Sequence, residues 1–150
     1  MGRRHTPLRF LVVEDEALLA MDLGMMIEDA GHHVVAEAGC LREVQGLDVG
    51  IAPDVAFVDL HLAEGSSGLD VCAHIKQNWG DAIIVFVTAN PRKLRVDHPG
   101  AHGVIAKPFS RNGIMSALRY ITEGICDPPP SASTPPDFTA FPALAATWKD

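Results

Sequence analysis

The sequence predicts an α/β protein: a doubly wound, five-stranded parallel sheet with helices on both faces. Three observations carry this expectation. Short apolar runs alternate with segments of helical periodicity five times along the chain. The runs are continuously apolar, the pattern of strands covered on both faces, not the alternation of half-exposed antiparallel ones. Four of them stop at a charged or polar residue, and a parallel sheet gathers such ends on one edge.

Residues 8–13 form the first strand, closed abruptly by Glu14-Asp15-Glu16. Leu19, Leu23, Met26 and Ile27 then recur at helical spacing, and Gly31 supplies the stop. A second strand covers 33–38, and Leu41, Val44 and Leu47 mark a weak helix over 40–48. Pro53 ends that connection, and the run Val55-Ala56-Phe57-Val58 leads to Asp59. A Gly/Ser loop over 64–68 precedes a helix over 69–79, and residues 82–87 are a fourth strand stopping at Thr88-Ala89-Asn90. Pro91 could open a helix, but Pro99-Gly100 cuts the segment short. A fifth strand over 103–106 ends at Lys107-Pro108-Phe109, and Ser110 caps a last helix built on Ile114, Leu118, Ile121 and Ile125.

Past Cys126 the composition changes, with five prolines between 128 and 136, so an extended linker is expected. Phe138, Phe141, Leu144 and Trp148 fall roughly on one helical face, leaving residues 127–150 as a disordered or partner-docking tail. Residues 1–7 are read as a disordered N-terminus.

The 150 residues, 47% hydrophobic, suffice for one core-forming domain without disulfides or a structural metal. A net charge of -7, with no Lys/Arg stripe, disfavours nucleic-acid binding. Cys40, Cys72 and Cys126 are odd in number and contain no CxxC pair, which suits a reducing cytoplasm and no zinc site. No run has the length of a membrane span or the apolar core of a signal peptide, so no membrane insertion is expected.

Chemistry is expected where the strand ends meet: Glu14 and Asp15 after the first, Asp59 after the third, Thr88 after the fourth, Lys107 after the fifth. Each has an ordinary alternative. Acids cap helices, threonine belongs in strands, and surface lysines are common. Together they suggest more, because three converging carboxylates repel unless a cation joins them, and hard oxygen donors suit Mg²⁺. A lysine and a hydroxyl alongside would match phosphoryl oxygens, making the set sufficient for an aspartyl-phosphate mechanism.

The motifs Val-Val-Glu14-Asp15-Glu, Val-Asp59-Leu, Val-Thr88-Ala and Lys107-Pro-Phe, in that order, resemble the receiver domain of two-component response regulators. The likeness spans residues 8–126 and is closest to atypical, stand-alone receivers. It implies a flavodoxin-like sheet of order 2-1-3-4-5. It also implies that Asp59 is the phosphoacceptor for a sensor histidine kinase or a phosphotransfer protein, with Lys107 and Thr88 on the phosphoryl oxygens. Glu14, Asp15, Asp59 and the backbone carbonyl of His61 would form the Mg²⁺ site, and the Lys107–Pro108 bond would be cis.

Three departures accompany the likeness. Val104 stands where receivers commonly carry Phe or Tyr, the loop 62–68 lacks the usual proline, and the segment 90–100 is short of a full helix. His61 and Asn90 flank the site, where the family tunes the phosphoryl lifetime, while His32, His33, His98 and His102 are expected on surfaces or loops. The tail is too short for a DNA-binding domain, so output is expected by contact with a downstream protein, with homodimer formation left open. Alternatives are an unswitched binding scaffold, or a small aspartyl-nucleophile phosphatase, for which His61 stands where a second carboxylate would serve as general acid. A flavin module is disfavoured because Glu14-Asp15-Glu16 would repel its phosphate.

Overall fold

The computed structural model describes residues 6–131 and 134–148. The N-terminal reading over 1–7 therefore falls largely outside the described residues. Its parallel strands are β1 (Arg9–Val13), β2 (His33–Ala38), β3 (Val55–Val58), β4 (Ile83–Thr88) and β5 (Gly103–Ala106). The helices between and after them are α1 (Ala17–Asp29), α2 (Leu41–Gln45), α3 (Gly68–Asn78) and α4 (Arg111–Cys126). The order β2-β1-β3-β4-β5 is the flavodoxin-like one, with every pair in this series parallel.

The strands sort their side chains to two cores by the period of two that a pleated backbone imposes. Phe10, Val12, Val55, Phe57, Val85, Val87 and Ile105 face the layer made by α1 and α4. Leu11, Val13, Ala56, Val58, Ile84, Phe86 and Val104 face the layer of α2 and α3. Burial on both faces is why the runs read as uninterrupted apolar sequence.

The expectation of five strands is corrected to six. Residues Phe138–Ala140 form β6, antiparallel to β5, pairing Gly103 with Ala140, Val104 with Thr139 and Ile105 with Phe138. A short helix, α5 (Pro142–Ala146), follows. From Phe138 on, the described part of the tail is thus docked on its own domain, while the described proline-rich residues before it form no helix or strand. The physical reason is an unfilled place: between β4 and β5 only a single 3-10 turn, Pro91–Lys93, forms, so no fourth layer helix covers that end of the sheet. Phe141 enters the α3-side core beside Leu94 and Ala101, while Phe138 and Leu144 join the opposite one.

Two histidines expected on surfaces or loops are buried. His32 Nδ1 accepts the Leu8 N–H at 3.0 Å, and His102 Nδ1 accepts the Ile84 N–H at 3.0 Å. Each imidazole thereby satisfies a backbone donor next to a strand start, a use set by tertiary register and invisible to local pattern.

Candidate functional site

The site is built at the carboxyl ends of four strands. Glu14 follows β1 and is buried, with its Oε2 accepting the Glu16 N–H at 3.1 Å. Asp15, next in the chain, is exposed. Asp59 follows β3 and is 8% exposed; its own N–H is spent on the Val13 carbonyl at 3.0 Å, which pins the β3 end to the β1 end. Oxygens of Glu14, Asp15 and Asp59 lie within 4.8 Å of one another.

Lys107 leaves the end of β5 across the cis Lys107–Pro108 peptide and reaches this cluster. Its Nζ donates to Glu14 Oε1 at 2.6 Å and to Asp59 Oδ2 at 2.9 Å. Burial pulls the lysine pKa down, but the hydrogen bonds it donates to Glu14 and Asp59, with their charges, more than reverse it, leaving it above the ordinary value. For Glu14 burial wins over the Lys107 pairing, and its carboxyl is raised. The lysine therefore holds the place between carboxylates that a divalent cation would contest.

Thr88 ends β4 and is fully buried; its Oγ1 accepts the Asn90 N–H at 3.0 Å, and its carbonyl accepts the Lys107 N–H at 2.8 Å. The hydroxyl is thus on the neighbouring strand end but engaged with its own turn. His61 is exposed, and its N–H donates to Asp59 Oδ1 at 3.3 Å. Asn90 is exposed at the site's rim.

Gly68 is a residue the sequence did not single out for the site. A Cβ there would collide with the Asp59 carbonyl oxygen and the Leu60 backbone, and its N–H donates to the Leu60 carbonyl at 2.8 Å. The loop before it bends through Glu64 at φ 61° and Gly65 at φ 70°. It is tied to the β2–α2 connection, because Ser66 Oγ accepts the Leu41 N–H at 3.0 Å and the Ala63 N–H donates to the Gly39 carbonyl at 3.1 Å. These bonds fix the loop to the neighbouring connection. Signal was available in Gly-Ser-Ser-Gly, but its target, the Asp59 backbone, is a tertiary contact.

An open cleft of about 350 Å³ runs from Glu14 and Asp15 past Glu37 and Glu43 to Glu64. Its acidic lining suits a cation and leaves the Asp15 side of the cluster open to solvent. Among the described residues, no helix is long and apolar enough to cross a membrane.

The family model for the response regulator receiver domain matches residues 10–119. The phyllosphere-induced regulator PhyR of Methylorubrum extorquens is 34% identical over 110 residues, covering 72% of this chain and 41% of that protein. A crystal structure of the anti-anti-sigma factor PhyR from Bartonella quintana matches with 33% identity and a TM-score of 0.58, over 72% of this chain and 44% of that one. The chain thus spans less than half the length of these two relatives. A two-component response regulator of the LuxR family from Aurantimonas sp. SI85-9A1 matches with 26% identity and a TM-score of 0.69, over 93% of this chain and 96% of that one. That likeness covers more than residues 1–126 alone could supply, so it runs into the tail. With these matches laid on the four strand ends, the chain belongs to the response regulator receiver domain family.

Proposed function

We propose that the protein is a phosphorylation switch in which Asp59 accepts a phosphoryl group from the phosphohistidine of a sensor histidine kinase or a phosphotransfer protein. The observation that carries this reading is Lys107 Nζ bridging Asp59 and Glu14 inside a three-carboxylate cluster. An Asp59 carboxylate oxygen attacks phosphorus, the P–O bond of an acyl phosphate forms, and the P–N bond of the phosphohistidine breaks. The electron pair of that bond stays on the imidazole nitrogen, which leaves as neutral histidine after proton balance with solvent.

Lys107 is the group already hydrogen-bonded to the attacking carboxylate, so it is positioned to follow the phosphoryl oxygens and neutralise their charge. Thr88 would give up its bond with Asn90 to donate to the same oxygens. Glu14, Asp15, Asp59 and the backbone carbonyl of His61 would hold Mg²⁺. The donor set fits a hard cation, since the carboxylate oxygens already converge and Lys107 supplies only one charge against them. When bound, Mg²⁺ supplies charge neutralisation at the phosphoryl oxygens.

Output is by protein contact in the cytoplasm. A relative described as an anti-anti-sigma factor supports this, since that role is itself a protein–protein interaction. No enzyme activity beyond gain and loss of its own phosphoryl group is assigned. The test is labelling of the full chain with radioactive acetyl phosphate, with and without Mg²⁺. One Mg²⁺-dependent phosphoryl group per chain, lost in Asp59→Asn, is expected; equal labelling of Asp59→Asn and wild type would refute the assignment.

A further inference from the structure

Three glycines in the body of the domain make room for the tail. A Cβ on Gly103 would stand 2.6 Å from the Phe138 ring and 2.9 Å from the Thr139 carbonyl oxygen. One on Gly113 would meet the Asp137 carboxylate, and one on Gly124 would stand 2.9 Å from Trp148 Nε1. Gly113 and Gly124 are the two glycines of α4, and their spacing of about three turns puts them on one face. Glycine weakens a helix relative to alanine, so α4 carries its two weakest residues where the tail crosses it. A side chain at any of the three positions would collide with the docked tail, so the seat fits its occupant only with glycine there.

The strand that carries this seat also carries Lys107. Gly103, Val104 and Ile105 pair with β6, Ala106 pairs with Thr88 of β4, and the next residue reaches Glu14 and Asp59. Any event that re-partners Lys107 and Thr88 acts on both ends of a four-residue strand at once. The far end of the tail carries an unsatisfied group: Trp148 packs edge-on to Tyr120, but its indole N–H is buried without a hydrogen-bond partner among the described residues.

We propose that residues 138–148 are a latch reporting the state of Asp59: docked on β5 while Lys107 is paired with the carboxylates, and released when a phosphoryl group draws Lys107 and Thr88 to new partners. The proposal rests on Asp59 being the phosphoacceptor. Release uncovers the β5 edge and, on the freed segment, Phe138, Phe141, Leu144 and Trp148, so the switched state presents an apolar, strand-forming surface that the resting state hides. Because coupling between two sites is reciprocal, an undocked tail must in turn favour the phosphorylated form.

The experiment is amide hydrogen exchange on the full chain, in Mg²⁺ alone and in Mg²⁺ with beryllofluoride, with bound beryllofluoride followed by ¹⁹F NMR. Exchange over 138–148 should quicken by at least about tenfold while β1 and β3 stay protected. Unchanged tail protection in the beryllofluoride-bound protein overturns the latch. If no beryllofluoride binds, the phosphoacceptor reading fails instead, and Lys107→Met decides whether β5 couples to the tail: faster tail exchange supports the coupling, and unchanged exchange overturns it. Gly124→Ala gives the reciprocal arm. Its added methyl displaces Trp148 and loosens that end of the tail, so acetyl phosphate labelling of Asp59 should rise; labelling that stays unaltered while tail exchange quickens counts against the latch.

Discussion

Lys107 carries the charge balance of the site: its side chain, 13% exposed, neutralises Glu14 and Asp59 whose side chains are 2% and 10% exposed. Lys107→Ala leaves two nearly buried carboxylates facing each other. A loss of about 3 kcal/mol is expected at neutral pH, the scale for breaking a buried pair. Urea unfolding measures it, and added Mg²⁺ should restore part of the loss in this variant. His102 gives a second prediction. Burial holds its pKa down at about 4 against the ordinary 6.5. Below pH 6.5 the unfolded chain binds a proton that the folded imidazole refuses, so stability is full above 6.5 and falls as pH drops toward about 4. The full shift is worth about 3 kcal/mol, His32 adds in the same direction, and urea midpoints measured from pH 7.5 downward check it. His102→Gln should flatten the slope. Glu14, Asp15, Asp59 and Lys107 were legible in the sequence because each is a charged residue directly after an apolar strand. The work of His32 and His102 was not, since accepting a backbone N–H from another strand leaves no trace in neighbouring residues.

At the scale of elements, α3 is placed by a single missing side chain. Gly68, its first residue, lies against the Asp59 backbone. Gly68→Ala must push either the helix or the strand end at Asp59, with an expected cost of about 1–3 kcal/mol and reduced Asp59 labelling by acetyl phosphate. Parallel labelling and urea curves check both. The segment after β4 was read correctly as too short for a helix: Pro91 starts a turn, and Pro99 with Gly100 at φ 86° ends it. What the sequence concealed was the consequence. A three-residue strand has too little alternation to register, and Phe138, Phe141, Leu144 and Trp148 suggest a helix face when their neighbours are unknown. The structure splits them across a strand, a cap, a helix and the turn after it, on both sides of the sheet. Val104 belongs to the same finding. It is buried and paired with Thr139, so the position that receivers commonly give to an aromatic lies under the tail.

At the scale of the molecule, the tail is part of the fold's stability as well as its surface. Phe138 is 2% exposed and joins the α1–α4 core. Phe138→Ala should cost about 3–5 kcal/mol, as for other buried phenylalanines, a loss visible in thermal and urea unfolding. A free tail would give almost no change. The parallel sheet was legible in the alternating elements, but its order came only through the resemblance of the strand-end motifs to receivers, since right-handed crossovers fit more than one order; the sixth strand depends on an edge left uncovered by a helix that never forms. The proposed switch as a whole stands on Asp59. Acetyl phosphate labelling of the full chain, read by intact mass, tests it most directly. It predicts one added phosphoryl group that requires Mg²⁺ and disappears in Asp59→Asn. A mass that never changes, or one that changes equally in Asp59→Asn, would contradict it.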